Sequence, residues 1–72
     1  MKVKLFASLR EGRFTEKEWE YIEGTTVSRI LEELAIDIKD VGVVLVNARL
    51  TERDYKLEEG DTLSIFPLIG GG

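Results

Sequence analysis

Polar and apolar residues alternate over Met1 to Ala7, with Val3, Leu5 and Ala7 on one side and Lys2, Lys4 and Phe6 on the other. A period of two marks a strand with one buried face. Ser8 to Phe14 contains Gly12 and reads as a connection. Alternation resumes over Thr15 to Ile22, where Lys17, Trp19 and Tyr21 oppose Glu16, Glu18 and Glu20. Paired as an antiparallel hairpin, the two strands place Lys4 and Lys2 opposite Glu18 and Glu20, an arrangement that exposed cross-strand charges favour weakly.

The period then changes. Val27, Ile30, Leu31 and Leu34 recur at i, i+3, i+4 and i+7, one apolar stripe of a helix, with Arg29, Glu32 and Glu33 on the other side. Thr25 or Thr26 supplies the capping oxygen at its start. The stripe fades near Ala35 and Ile36, and Asp37 to Asp40 reads as a loop.

Val43 to Val46 is rich in β-branched residues and predicts a third strand, turned by Asn47-Ala48 into a short fourth at Arg49-Leu50. Tyr55 to Leu57 reads as a packed turn and Glu58 to Asp61 as a tight one. Thr62 to Phe66 is the last strand, ended by Pro67, which has no N–H for a ladder. Hairpin, helix, two strands and a last strand make an α+β chain: a mixed sheet of four to five strands with one helix across one face. In the β-grasp arrangement the first and last strands lie side by side at the centre, and the helix connection then has the right-handed sense expected of crossovers. Val3, Leu5, Trp19, Val44, Val46, Leu63 and Ile65 then face the helix, and Phe6, Leu45 and Phe66 project from the opposite face. Residues 1–67 form the domain and residues 68–72 a flexible tail.

Composition narrows what such a domain does. With 72 residues and neither Cys nor His, it has no disulfides, thiolate zinc sites or imidazole bases, so an apolar core must hold it together. Ten basic residues are scattered among fourteen acidic ones for a net charge of −4. That balance disfavours nucleic acid and anionic membrane surfaces as partners. The longest apolar run, Val41 to Val46, is too short to span a bilayer, and the first residues lack the apolar stretch of a signal peptide. A cytoplasmic location is expected. Trp19 and Tyr21 suggest core rather than a base-stacking platform. The acidic turns at Asp37 to Asp40 and Glu58 to Asp61 lack the pattern of a calcium loop. No metal site, bound cofactor or catalytic residue is expected, since the chain has no Cys nucleophile, His base or phosphate-cradling glycine loop.

The chemistry sits at the end. Leu68-Ile69-Gly70-Gly71-Gly72 closes the sequence directly after the last strand. Glycines contribute nothing to a core and leave the backbone maximally free. Without side chains, such an end can enter a narrow channel and leave its terminal carbonyl open to attack. Phe6, Leu45, Phe66, Pro67, Leu68 and Ile69 are the candidate partner interface that guides the tail there.

LFASLRE at residues 5–11, TTVSRILEEL at 25–34, the VNARL segment and EEGDTLSIFPLIGGG at 58–72 together resemble the MoaD/ThiS sulfur-carrier family over the whole chain. The likeness is nearer to the small subunit of molybdopterin synthase than to the thiamine carrier. Phe6, Arg10 and Glu11 stand at its FA-x-x-RE signature, Phe66-Pro67 at its strand end, and Gly71-Gly72 at its terminal pair. Leu68-Ile69-Gly70 depart from it, standing where that subunit often carries a second Pro, a Val and a Thr or Ala.

The resemblance implies a carrier. A ubiquitin-activating-type enzyme, using ATP and Mg²⁺, adenylates the Gly72 carboxylate, and sulfur from a donor protein replaces AMP to give a thiocarboxylate. In a complex with the large synthase subunit, that sulfur builds the dithiolene of the molybdenum or tungsten cofactor. Three alternatives stand beside this reading: a thiamine-type carrier, a ubiquitin-like modifier joined to lysine through Gly72, and a plain interaction module with an incidental tail.

Overall fold

The computed structural model describes residues 1–68. The expectations for Ile69, Gly70, Gly71 and Gly72 lie outside the described residues. Strands β1 (Lys2–Leu5), β2 (Glu16–Glu18), β3 (Val41–Val46), β4 (Arg49–Leu50) and β5 (Thr62–Pro67) form one sheet in the order β2-β1-β5-β3-β4. Helix α1 (Val27–Glu33) lies across one face. β1 and β5 run parallel at the centre, and the other pairings are antiparallel. This is the expected β-grasp, with five strands.

The core follows the alternation. Val3 and Leu5 from β1, Val44 and Val46 from β3, and Leu63 and Ile65 from β5 are buried against Val27, Ile30 and Leu31 of α1. Each large side chain fully withdrawn from water contributes roughly 1.5–3 kcal/mol, which is how so short a chain holds without disulfides. Leu34 and Trp19 are only half-buried and pack at the margin of this cluster. Leu9, Ile36 and Leu57 close it from the connecting segments.

Three expectations are corrected. Ala7 does not continue β1: its φ is 53° and the chain turns there into a 3-10 helix over Ala7–Arg10. That turn brings Leu9 inward as a plug, while Ala7 is exposed. β2 stops at Glu18 instead of Ile22, leaving Tyr21 outside the strand. The β1–β2 register is offset by two from the expected one, pairing Lys2 with Glu18 and Lys4 with Glu16. An offset of two leaves every side chain on its face. Trp19 then exchanges hydrogen bonds with Met1, donating its N–H to the Met1 carbonyl at 2.7 Å and accepting from the terminal amine at 3.1 Å. Glu16 meets Lys2 at 3.2 Å and Lys4 at 4.0 Å. Lys17, on the helix side opposite Val3, escapes burial by laying its amine 5.7 Å from the Phe14 ring and 5.6 Å from the Trp19 ring.

Both ends of α1 are satisfied. Thr26 is the N-cap, its hydroxyl accepting from the Arg29 N–H at 3.2 Å, while Thr25 donates its own hydroxyl to the Ile22 carbonyl. At the other end, the Ile36 N–H donates to the Leu31 carbonyl and the Ala35 N–H to that of Glu32, the paired closure of a Schellman motif. Arg13 adds a cap from far away in sequence, donating to the carbonyls of Leu34 at 3.1 Å and Ala35 at 3.3 Å. Asp61, nearly buried, ties the β3–β4 turn to the start of β5: it accepts from the Glu58 N–H and the Asn47 amide, each at 2.8 Å.

Ala35 holds φ at 57°, a conformation that costs an L-residue about 1–2 kcal/mol. Ala35→Gly is expected to raise stability by about 1 kcal/mol, read as a higher midpoint in chemical denaturation. Asp61→Ala strands the Glu58 N–H and the Asn47 amide, and is expected to lower stability by about 1–3 kcal/mol in the same assay.

Candidate functional site

The face of the sheet away from α1 has two halves. Toward β2 it is charged, with Lys2, Lys4, Glu16 and Glu18. Toward β3 and β4 it is apolar. Alternation places Phe6 beside β5, where its N–H donates to the Ile65 carbonyl at 3.2 Å. Its ring stacks on Phe66 with centroids 4.2 Å apart and planes 8° from parallel. Val43 is the register partner of Phe66, and Leu45 is that of Leu50 across β3–β4. Phe6, Phe66, Val43, Leu45 and Leu50 thus share one surface.

This strip has an edge and an exit. At its edge, Arg10 donates its Nε–H to the Leu5 carbonyl at 2.8 Å and holds its guanidinium 5.4 Å from the Phe6 ring. At its exit, Pro67 is half-buried and Leu68 is 68% exposed. The Leu68 N–H still donates to the Asp40 carbonyl at 2.8 Å, so hydrogen bonding to the body reaches one residue beyond β5.

Of the expected interface, the structure brings Phe6, Leu45, Phe66 and the root at Pro67 and Leu68 to this region; Ile69 lies outside the described residues. Val43, 41% exposed, and Leu50, 78% exposed, extend the strip and were missed. Their parity along β3 and β4 was the signal for both. Large apolar side chains left in water together mark contact surfaces more often than scattered ones do.

No cluster of three or more potential metal ligands occurs among the described residues, and no helix among them is long and apolar enough to cross a membrane. Away from the strip, partial desolvation raises the pKa of the exposed Tyr55 phenol, with Asp61 and Glu58 adding to the shift and Arg49 opposing it. It remains a neutral phenol at physiological pH. Among the described residues, the strip carries no arrangement of acid, base and nucleophile.

The ThiS family profile matches residues 3–72. The chain belongs to the ThiS family. Membership agrees with the resemblance to ubiquitin-like sulfur carriers carried by the signature segments. Two solved structures share the fold. One, from Pyrococcus furiosus and described as a molybdopterin converting factor, subunit 1, is 30% identical over 94% of this chain and 95% of its own, with a TM-score of 0.75. The other, SAMP1 from Haloferax volcanii, is 26% identical over 99% and 97%, with a TM-score of 0.73.

Phe66→Asp tests the assignment of faces. Because Phe66 lies on the outer side, the variant is expected to remain folded and lose only the stacking contribution of about 0.5–1.5 kcal/mol. Circular dichroism and chemical denaturation check this. An unfolded Phe66→Asp chain would place the ring in the core instead.

Proposed function

We propose that this chain is a sulfur carrier for molybdopterin synthesis, acting through Gly72 and without catalytic residues of its own. One observation carries the reading: the apolar strip of Phe6, Leu45 and Phe66 runs to the root of the C-terminal segment at Leu68. Four residues follow Leu68, and four residues reach at most about 14 Å when extended. A partner seated on the strip therefore has the terminal carboxylate within reach of an active site no deeper than that.

The chemistry needs such a partner. A carboxylate is a poor electrophile, and adenylation with ATP and Mg²⁺ supplies AMP as a leaving group. Sulfide displaces AMP at the Gly72 carbonyl carbon directly, or a donor protein's persulfide displaces it and a thiol then reduces the resulting acyl disulfide; either route leaves a thiocarboxylate. Gly70 and Gly71 keep the approach free of side chains. The partners are a ubiquitin-activating-type enzyme, a sulfur donor protein and a large synthase subunit, all in the cytoplasm. Family membership and similarity to the molybdopterin converting factor subunit support this assignment. The likeness to SAMP1 favours a second reading, a modifier joined to lysine through the same Gly72.

Incubation with ATP, Mg²⁺, the adenylating enzyme and a sulfur donor is expected to exchange one oxygen of the terminal carboxylate for sulfur. Intact-mass spectrometry reads the exchange. Removal of Gly71 and Gly72 is expected to abolish it; persistence in the truncated chain would defeat the proposal. Higher-mass conjugates bearing a Gly-Gly remnant on lysine, without thiocarboxylate, would favour the modifier.

A further inference from the structure

β3 leaves regular pairing at one point. Its register against β5 passes from Val43 opposite Phe66 to Val41 opposite Pro67, so Gly42 is the extra residue of a bulge. A Cβ built on Gly42 would lie 2.6 Å from the Pro67 carbonyl oxygen and 3.0 Å from both the Pro67 carbonyl carbon and the Leu68 Cα. All three are backbone atoms, which cannot swing aside as a side chain does. The missing side chain thus lets β3 press against the chain where it leaves the sheet. Two residues earlier, the Asp40 carbonyl takes the Leu68 N–H at 2.8 Å. Bulges commonly re-aim or terminate a strand beside a functional site.

We propose that Gly42 is a positioning residue for the terminal chemistry: its bulge, with the Asp40 carbonyl, clamps Pro67 and Leu68 and so fixes where the segment bearing Gly72 departs. This rests on the reading of Gly72 as the residue that the partner activates. A side chain at Gly42 pries Pro67 and Leu68 off β3, so the stretch that a partner must order grows by two residues. Ordering one residue of backbone costs on the order of ten-fold in affinity. The cost falls on docking, since the reacting carboxylate is unchanged.

The test uses the full chain as substrate for the adenylating enzyme, following ATP–pyrophosphate exchange. Gly42→Ala is compared with wild type and with Ile30→Val, a core variant remote from the exit. Gly42→Ala is expected to raise KM for the chain by about a hundred-fold, ten-fold for each of the two residues, while kcat stays within about two-fold, the signature of lost binding. The Leu68 amide, followed by hydrogen exchange, is expected to be protected in wild type and Ile30→Val and to lose protection in Gly42→Ala.

Equal KM values for Gly42→Ala and Ile30→Val would overturn the clamp while leaving the activation of Gly72 intact. A wild-type Leu68 amide exchanging at the rate of a free peptide would overturn it even if Gly42→Ala failed to fold. Absence of exchange activity with the wild-type chain would instead bring down the activation of Gly72, and this inference with it.

Discussion

The parallel pairing of β1 with β5 is the constraint on which the other features depend. Val3 beside Leu63 and Leu5 beside Ile65 join strands from opposite ends of the sequence, and all four side chains are fully buried. Parallel neighbours need a long connection, and here it contains the helix that covers their inner face. Once that pair is set, alternation has no freedom left. Lys4 and Ser64 fall on the outer face, and Phe6 and Phe66 follow them to stack there. A slip of one residue would bury the two rings and expose the core.

That same parity explains which parts were legible from sequence. The stripe of Val27, Ile30 and Leu31 and the alternation of β1, β3 and β5 are set by burial, and burial writes itself into residue type. The outer positions of Phe6, Leu45 and Phe66 came from the same parity. The β1–β2 register did not, because an offset of two preserves both faces and the charges of Lys2, Lys4, Glu16 and Glu18 suit either pairing. The turn at Ala7 was hidden for another reason: alanine carries no signal for the positive φ that it adopts at residues 7, 35 and 48. Arg13 caps a helix end twenty-one residues away, and no local pattern announces such a contact. Gly42 sat unremarked within an apolar run, since only the path of Pro67 and Leu68 reveals what its missing Cβ permits.

The division of labour within the domain follows from these placements. One sheet face is spent on stability, packed by α1 and plugged by Leu9, Ile36 and Leu57. The other is divided between a charged half near β2 and an apolar half that ends where the chain leaves β5. Among the described residues the apolar half gathers Phe6, Val43, Leu45, Leu50 and Phe66 on one surface. Stability and contact share β1, β3 and β5, yet a change to an outward ring leaves the inward packing whole.

If the proposed adenylating enzyme seats on the apolar strip, hydrogen exchange on the two proteins together shows it by the amides that the enzyme shields. Shielding over Phe6, Val43 to Leu45, Leu50 and Phe66 to Leu68, with the outer side of α1 unchanged at Arg29, Glu32 and Glu33, is the predicted footprint. Shielding centred on the outer side of α1, with the apolar strip still exchanging as in the free protein, would contradict the account.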